Sequence, residues 1–155
     1  MSKTFKLNLN AHTREHDQRN CIINGLKNAD ENDLIFISDV DEIPNLENLD
    51  LRNFKNKILM FEQNIFYYKL NRYLPDFKWF GTKACRKKDL VNPQWLRNIK
   101  NTKYPFFRID TFFSNSKYTN KLYIKNGGWH FSNLKNSTDI ELKLKSYLHH
   151  HDYES

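Results

Sequence analysis

The 155-residue chain has the length of one domain, and its composition argues against several classes of protein. Hydrophobic residues make up 39% and aromatic residues 15%, enough apolar surface for a core, so wholesale disorder is not expected. Four glycines and four prolines argue against a fibrous or linker-like chain. The net charge of +7 predicts an anionic partner, and the scattered basic residues favour a general field over a dedicated nucleic-acid groove.

The sequence has neither a basic-plus-apolar leader nor an apolar run that approaches membrane-spanning length. Cys21 and Cys85 have no metal-ligand spacing and are too few for a disulfide framework. They are therefore expected to be reduced, mostly buried thiols. Together these features predict a cytoplasmic protein. Because no repeat or composition break divides the chain, residues 1–155 are predicted to form one domain.

The first part of the chain is predicted to form a strand, a helix and a second strand. Residues Phe5 to Leu9 alternate apolar with polar, which predicts a short strand, and Thr13 is a plausible N-cap for a helix. The helix should end near Lys27 to Ala29, where a polar turn begins. The continuous apolar run Leu34 to Ile37 is typical of a strand covered on both faces, hence a central parallel strand. Asn45 is predicted to cap a short helix.

The rest of the chain is predicted to alternate further strands and helices, which makes the fold class α/β. The predicted elements are one long or two bent strands over Ile58 to Leu70, a strand over Phe77 to Arg86 interrupted at Gly81, a helix opened by Asn92-Pro93, a hairpin of Lys121 to Lys125 and Trp129 to Phe131 with its turn at Asn126-Gly127-Gly128, and a helix opened by the capping box Thr138 to Glu141.

Three acidic residues, Asp39, Asp41 and Glu42, follow the buried strand directly, and Pro44 ends it. Ligands of open α/β sheets bind beyond the carboxyl ends of strands. In an extended segment the carboxylates of Asp39 and Asp41 point the same way, while Val40 points into the core. Two carboxylates on one side suit Mg²⁺ or Mn²⁺, ions that keep positions open for substrate phosphates. The alternative is a solvated turn that caps the next helix.

Further candidate site residues lie on the predicted strands. His130, between Trp129 and Phe131, suits a third metal ligand or a phosphate partner, and the alternative is a half-buried core histidine. Lys83 and Arg86 are expected on opposite faces of one strand. Either could neutralise a diphosphate, and the alternative is that both are solvated.

Three other groups of residues have simpler interpretations. Arg19-Asn20 is expected on an exposed polar helix face. The run His149-His150-His151 is interpreted as a terminal surface feature, because adjacent histidines on a helix cannot all face one ion. The aromatic stretch Phe66-Tyr67-Tyr68, with Trp79 and Phe80, is typical of a core, although exposed members could stack on sugar rings or bases.

Several segments of the sequence resemble glycosyltransferase family 17, whose named activity is β-1,4-mannosyl-glycoprotein 4-β-N-acetylglucosaminyltransferase. These segments are REHDQRNCIINGLKNADENDLIFISDVDEIP (Arg14 to Pro44), FEQNIFYYKLN (Phe61 to Asn71), FKWFGTKACRKKDL (Phe77 to Leu90), GGWHFS (Gly127 to Ser132) and KLKSYLHH (Lys143 to His150). Arg-Asn on a helix followed by a buried strand and Asp-x-Asp also resembles the wider class of GT-A glycosyltransferases. Because family members carry a substantial segment before this helix, the chain is expected to be truncated at its N-terminus.

The resemblance implies a partial GT-A-like fold, a Rossmann-like mixed sheet with flanking helices. It also implies inverting transfer from a UDP-sugar, UDP-N-acetylglucosamine, to a glycan or oligosaccharide acceptor. Independently of the resemblance, no nucleic-acid partner is expected. Asp39 and Asp41 would hold Mn²⁺ or Mg²⁺ against the donor diphosphate, with His130 as the late histidine of several GT-A families.

The resemblance further implies residues that bind substrate and a carboxylate that deprotonates the acceptor. The substrate-binding candidates are Arg19, Lys83, Arg86 and Trp129. Glu62 is the first choice for the catalytic base, with Asp110 and Glu42 behind it.

Two other functions compete with this one. A haloacid-dehalogenase-type phosphatase also places Asp-x-Asp after a buried strand. Its motif, however, has Thr or Val two residues after the second Asp, where this chain has Ile43. A catalytically inactive fragment or binding module would account for the positive charge and for exposed aromatic residues. No segment matches a known nucleic-acid-binding module.

Overall fold

A computed structural model of the protein describes residues 3–47, 49–51, 53–111, 113–117 and 120–146, without the side chains of residues 3–9, 11 and 144–146. These ranges contain three α-helices and eight β-strands. They are α1 (Lys3–Asn20), β1 (Leu34–Ile37), β2 (Glu42–Pro44), β3 (Ile58–Phe61), β4 (Gln63–Tyr67), β5 (Tyr73–Trp79), β6 (Lys83–Arg86), α2 (Pro93–Asn98), β7 (Lys121–Ile124), β8 (Gly128–Ser132) and α3 (Ser137–Ser146), with short 3-10 turns at Cys21–Leu26, Lys87–Asp89 and Ile109–Thr111.

The described strands form two mixed sheets of four strands each. The first sheet has the order β1-β6-β3-β7, in which β3 and β7 run parallel and the other pairs antiparallel. The second has the order β2-β8-β4-β5, in which β8 and β4 run parallel. The expected α/β class is confirmed, and the mixed sheets with a few helices are compatible with a partial GT-A-like fold.

The two parallel strand pairs, β3/β7 and β4/β8, continue one another across Glu62. The backbone N–H of Glu62 donates to the carbonyl of Ile124 at 3.0 Å, and its carbonyl accepts from the N–H of Gly127 at 2.8 Å. A Cβ on Gly127 would lie 2.7 Å from the Ile124 carbonyl oxygen, so only glycine allows this close approach. The chain therefore passes from one sheet to the other at two adjacent points.

The core covers both faces of the first sheet. On the face toward α2 lie Ile35, Ile37, Ile58, Met60 and Cys85, which cluster with Trp95, Leu96 and Ile99 from the helix and its C-terminal end. On the opposite face lie Leu59, Phe61 and Ala84, with partly buried Leu34, Phe36 and Phe54 among others against them. This division follows the alternation of side chains along each strand.

Helix α2 begins as the sequence predicts. The side chain of Asn92 accepts a hydrogen bond from the backbone N–H of Trp95 at 2.7 Å, and Pro93 occupies the first helical turn. The indole of Trp95 donates to the carbonyl of Asn115 at 2.6 Å. Trp95, Leu96 and Ile99 pack on strand residues of the first sheet, and this packing positions Arg97 near the end of the helix.

Two predictions about the N-terminal region are wrong. The segment Phe5 to Leu9 lies within α1 rather than in a strand, and Thr13 lies inside that helix rather than at its cap. A period-two pattern over five residues is too short to outweigh helix formation by the longer segment. The predicted end of the helical region holds, since the 3-10 turn Cys21–Leu26 stops just before Lys27.

The prediction that β1 is a central parallel strand is also wrong. Among the described strands β1 pairs only with β6, antiparallel, so it lies at an edge of the sheet. Its apolar run has a different cause: Ile35 and Ile37 pack toward α2, while Leu34 and Phe36 pack on the opposite face. An edge strand with both faces covered has the same pattern as a central one.

The predicted hairpin near residue 126 does not form, because β7 and β8 belong to different sheets. The helix predicted after Asn45 is absent from the described residues 45–47 and 49–51. There the Asn45 side chain accepts a hydrogen bond from the N–H of Glu47 at 3.0 Å, which closes a local turn instead.

At α3 the cap is Asn136, whose side chain accepts from the N–H of Asp139 at 2.8 Å, rather than the predicted Thr138 capping box. The last residues of the predicted apolar face, Tyr147 and Leu148, and the run His149-His150-His151 lie outside the described residues.

The strands predicted over 58–70 and 77–86 are present, as β3 and β4 and as the end of β5 followed by β6, with the break at Gly81. None of the helices in the described ranges is long and apolar enough to span a membrane. Both cysteines are free; Cys85 is buried, as expected, but Cys21 is exposed. Burial raises the pKa of the Cys85 thiol to about 12.

Candidate functional site

The acidic segment forms a tight turn between β1 and β2. The backbone N–H of Glu42 donates to the Asp39 carbonyl at 3.0 Å, and the Asp39 N–H donates to the Glu42 carboxylate at 3.0 Å. Because the chain turns here instead of staying extended, Val40 points outward and is fully exposed, which corrects the prediction that it enters the core. The three carboxylates consequently have different partners.

Glu42 is the buried carboxylate of the turn, with a side chain only 1% exposed. Its Oε1 lies 2.6 Å from Nη2 of Arg97 and its Oε2 lies 2.9 Å from Nη1 of the same guanidinium. The indole N–H of Trp79 also donates to Oε1, at 2.6 Å. A buried carboxylate with a bidentate arginine and a third donor is fully compensated.

Asp39 is shared between two arginines. Its Oδ2 lies 2.5 Å from Nη2 of Arg97, and its Oδ1 lies 3.2 Å from Nη2 of Arg19. Arg19, predicted to lie on an exposed face, is instead only 13% exposed and also bonds Glu15 and Gln94. The end of α1 therefore packs on α2 and brings a predicted substrate-binding residue to the acidic turn.

Arg97 links these two carboxylates to Gly81, in the segment between β5 and β6. One of its terminal nitrogens also donates to the carbonyl of Gly81. Burial alone would lower the pKa of Arg97, but the hydrogen bond and charge of Glu42, with the charge of Asp39, raise it above its ordinary value. The guanidinium is thus a fixed cation at the centre of the site.

Asp41 faces His130. Nε2 of His130 lies 3.4 Å from Oδ2 of Asp41, and the imidazole stacks on the indole of Trp79 with ring centroids 4.9 Å apart. The backbone register of β2 and β8 brings this about, since Glu42 pairs with His130. The hydrogen bond from His130 holds the pKa of Asp41 below its ordinary value.

Three of these side chains could hold a metal ion. Asp41, Glu42 and His130 each offer a ligand atom, and the three atoms lie within 4.8 Å of one another. Carboxylate oxygens with one imidazole nitrogen suit Mn²⁺ or Mg²⁺. In addition, the buried Nδ1 of His130 has no hydrogen-bond partner among the described residues. The donor set fits a divalent cation, and Asp39 is not one of these three residues.

Gly81 is a site residue, although the sequence pattern predicts only a strand break at this position. A Cβ at this position would collide with the Glu42 carboxylate and with the indole nitrogen of Trp79. Only glycine leaves room for Glu42 to reach its partners. Arg97 and Trp79 were likewise not predicted as site residues, since one arginine on a short helix and one tryptophan in an aromatic stretch carry no distinguishing spacing.

Lys83, a predicted substrate-binding residue, is buried under α2. Its ammonium donates to the carbonyls of Ile99, at 2.6 Å, and Arg97. Burial, with the nearby Arg97 charge second, lowers the pKa of Lys83 to about 8. The Lys83 ammonium is therefore bound by carbonyl groups at the C-terminal end of α2 and is not solvated.

The other predicted site residues lie in different surroundings. Arg86, at the far end of β6, donates to the Asn32 carbonyl and lies 4.8 Å from the Phe54 ring centroid. Trp129, 39% exposed, neighbours His130 on β8. Glu62 lies at the crossing between the sheets. Asp110 is exposed, and the hydrogen bonds from Arg108 and Lys117 lower its pKa.

Comparison with models of protein families places the chain among the glycosyltransferases. The model of glycosyltransferase family 17 matches residues 1–154, so the chain belongs to this family. Comparison with curated proteins and comparison with solved structures gave no match. The resemblance seen in the sequence segments is thereby confirmed, and it favours sugar transfer over a phosphatase of the haloacid-dehalogenase type.

Proposed function

We propose that the protein transfers N-acetylglucosamine from its UDP-sugar to a glycan or oligosaccharide acceptor, with inversion and with the aid of Mn²⁺ or Mg²⁺. The observation that carries this proposal is the group Asp41, Glu42 and His130, packed against the fixed cation of Arg97 in a family 17 chain. Acidic and imidazole ligands beside guanidinium groups suit a metal-bound diphosphate.

Asp41 and His130 would hold the ion, with Glu42 as the third candidate ligand and Asp39, the ligand expected from the sequence, beside them. When bound, the ion acts as a Lewis acid toward the departing UDP charge. The choice of Asp41 and His130 is supported by their proximity, with Nε2 of His130 3.4 Å from Oδ2 of Asp41, and by the half-buried Asp41 carboxylate. Glu42, by contrast, accepts hydrogen bonds from Arg97 and Trp79.

Arg19 and Arg97 would bind the donor phosphates, because a guanidinium fork matches phosphate oxygens. Both now contact Asp39, at 3.2 and 2.5 Å. A diphosphate that takes these donors would release Asp39 from one or both arginines. In this proposal Asp39 keeps the two guanidinium groups positioned before the donor arrives.

The acceptor hydroxyl needs a base in an inverting transfer. Of the three carboxylates expected from the sequence, Glu42 is locked by Arg97 and Trp79, and Asp110 is paired with Arg108 and Lys117. Glu62 is half-buried, and within the described residues only its backbone forms hydrogen bonds. Glu62 therefore stays our first choice for the base.

Calorimetric titration of UDP-N-acetylglucosamine with and without Mn²⁺ tests the proposal. We expect binding that depends on the metal, followed by release of UDP when acceptor glycans are added. Asp41→Asn and His130→Ala should weaken Mn²⁺ binding, whereas Asp139→Asn, an exposed acid on α3, should not. Equal affinity with and without Mn²⁺, or unchanged Mn²⁺ binding in both site variants, would contradict the metal-dependent mechanism.

A further inference from the structure

A cavity of about 350 Å³ opens on one face of the second sheet. Tyr67, Phe77 and Trp79 give it three aromatic walls, and Ile65 and Leu74 complete its apolar surface. In the strand register Ile65 pairs with Leu74 on β5. The cavity volume lies within the range of about 300–1,000 Å³ that is usual for small-molecule sites.

The cavity adjoins the acidic site through His130, which forms part of its wall together with Ser132. His130 pairs with Ile65, and Ser132 with Tyr67, in the parallel register of β8 and β4. Trp79 stacks on His130 and also donates to the Glu42 carboxylate. A molecule in this cavity would thus touch side chains that contact Asp41 and Glu42.

The charge of the lining indicates what kind of molecule would bind. Apart from His130, the lining residues are uncharged. A second cavity, of about 400 Å³, shares Phe77 and Trp79 with the first, but it is lined by Lys78, Lys83 and Lys100. An anionic ligand would favour the basic cavity, and a neutral one the aromatic cavity.

We propose that the aromatic cavity is the subsite for a neutral pyranose ring of the acceptor. This inference rests on the proposed function, and it places the acceptor sugar in the aromatic cavity beside the metal-binding group. The C–H face of a pyranose packs on the negative face of an aromatic ring, and three such rings are available here. Ser132 and Tyr67, two residues of the same lining, carry hydroxyl groups that can form hydrogen bonds with sugar hydroxyls.

Saturation-transfer NMR tests this subsite with free cellobiose, β-1,4-mannobiose and N,N′-diacetylchitobiose as probes, each with and without UDP and Mn²⁺. We expect transfer from the protein to the sugar C–H protons for at least one probe. Tyr67→Ala should raise its dissociation constant about fivefold or more, since one stacking ring is removed. Leu74→Ala, at a 39% exposed position, should also weaken binding.

Phe107→Ala is the matched control, because this phenylalanine is 70% exposed and is not part of the cavity lining. It should bind the sugars like the wild type. Circular dichroism melting curves show whether each variant is folded. Unchanged sugar affinity in folded Tyr67→Ala and Leu74→Ala, or no transfer to any probe under either condition, would overturn the inference.

Two further outcomes separate this inference from the proposed function. Saturation of the uridine H5 and H6 protons that is lost in Tyr67→Ala would show that the cavity takes the nucleotide base, and would overturn the acceptor subsite. Sugar binding that depends on Tyr67, without metal-dependent binding of UDP, would support a saccharide site and contradict the proposed transferase mechanism.

Discussion

Arg97 and Glu42 form a bidentate pair, with the two guanidinium nitrogens 2.6 and 2.9 Å from the two carboxylate oxygens. Glu42 is 1% and Arg97 13% exposed, and 55 residues separate them in the chain. The pair joins the acidic turn to α2, and through Asp39 it also reaches α1. The stability of this site therefore depends on Arg97.

Arg97→Met should lower the free energy of unfolding by about 3–5 kcal/mol, because it leaves the Glu42 carboxylate buried without its counterion. Urea denaturation measures the change. Arg108→Met is the matched control: it removes an exposed arginine that pairs with Asp110, and it should leave the urea midpoint close to that of the wild type. Equal midpoints for the two variants would refute the structural role assigned to Arg97.

Gly81→Ala should destabilise the protein by about 1–3 kcal/mol, since its methyl group needs space that Glu42 and Trp79 occupy. It should also weaken Mn²⁺ binding, because Glu42 must move. Gly25→Ala is the control, as a Cβ there meets no atom within 4 Å. Thermal melting of the two variants side by side gives the comparison, and an unshifted melting temperature for Gly81→Ala would contradict the packing described.

The stability of the protein should depend on pH through Lys83. The pKa of this lysine is about 8 in the folded state against 10.5 for the ordinary side chain. Between these values the unfolded chain binds more protons, so the free energy of unfolding should rise with pH, by an amount of the order of 3 kcal/mol from this group. Below about pH 8 the group contributes no slope.

Urea denaturation at several pH values from 7 to about 11 measures this rise, and comparison with Lys83→Met cancels the contributions of other groups. The variant should show a flatter profile over the window set by the two pKa values. Parallel profiles for the two proteins would mean that Lys83 titrates normally in the folded state.

Trp79→Phe should keep the ring that stacks on His130 but remove the donor to Glu42. Because groups that orient a metal ligand typically affect affinity by 10–100-fold, we expect Mn²⁺ affinity to fall by about tenfold or more. Electron paramagnetic resonance of free Mn²⁺ measures it. Trp129→Phe, a change at a 39% exposed tryptophan, should bind Mn²⁺ normally, and a loss of equal size there would contradict the role of the Trp79 donor.

Local features of the site could be predicted from the sequence. The strand Leu34–Ile37 and the Asn92 cap depend on neighbouring residues, and both are present. The family assignment also holds over residues 1–154. The assignment of individual site residues and the single domain over residues 1–155 stay predictions.

Partners distant in the chain could not be predicted. Trp79 and Arg97 lie 37 and 55 residues from Glu42, and nothing in their spacing connects them to it. The orientation of Val40 was wrong for a related reason: a period of two assumes an extended chain, whereas the Asp39 N–H bond to the Glu42 side chain closes a turn. The pairing of β1 depends on β6, which the apolar run alone does not reveal.

The separation of Glu42 from Arg97 has a consequence for synthesis on the ribosome. At about 5–20 residues per second, the acidic turn is made about 3 to 11 s before its arginine. During that time the carboxylate stays in water, and the strand that carries His130 is made later still. A nascent chain therefore carries the Asp-Val-Asp motif well before it carries the site, and a product that stops short of β8 should have the motif without the metal-binding group.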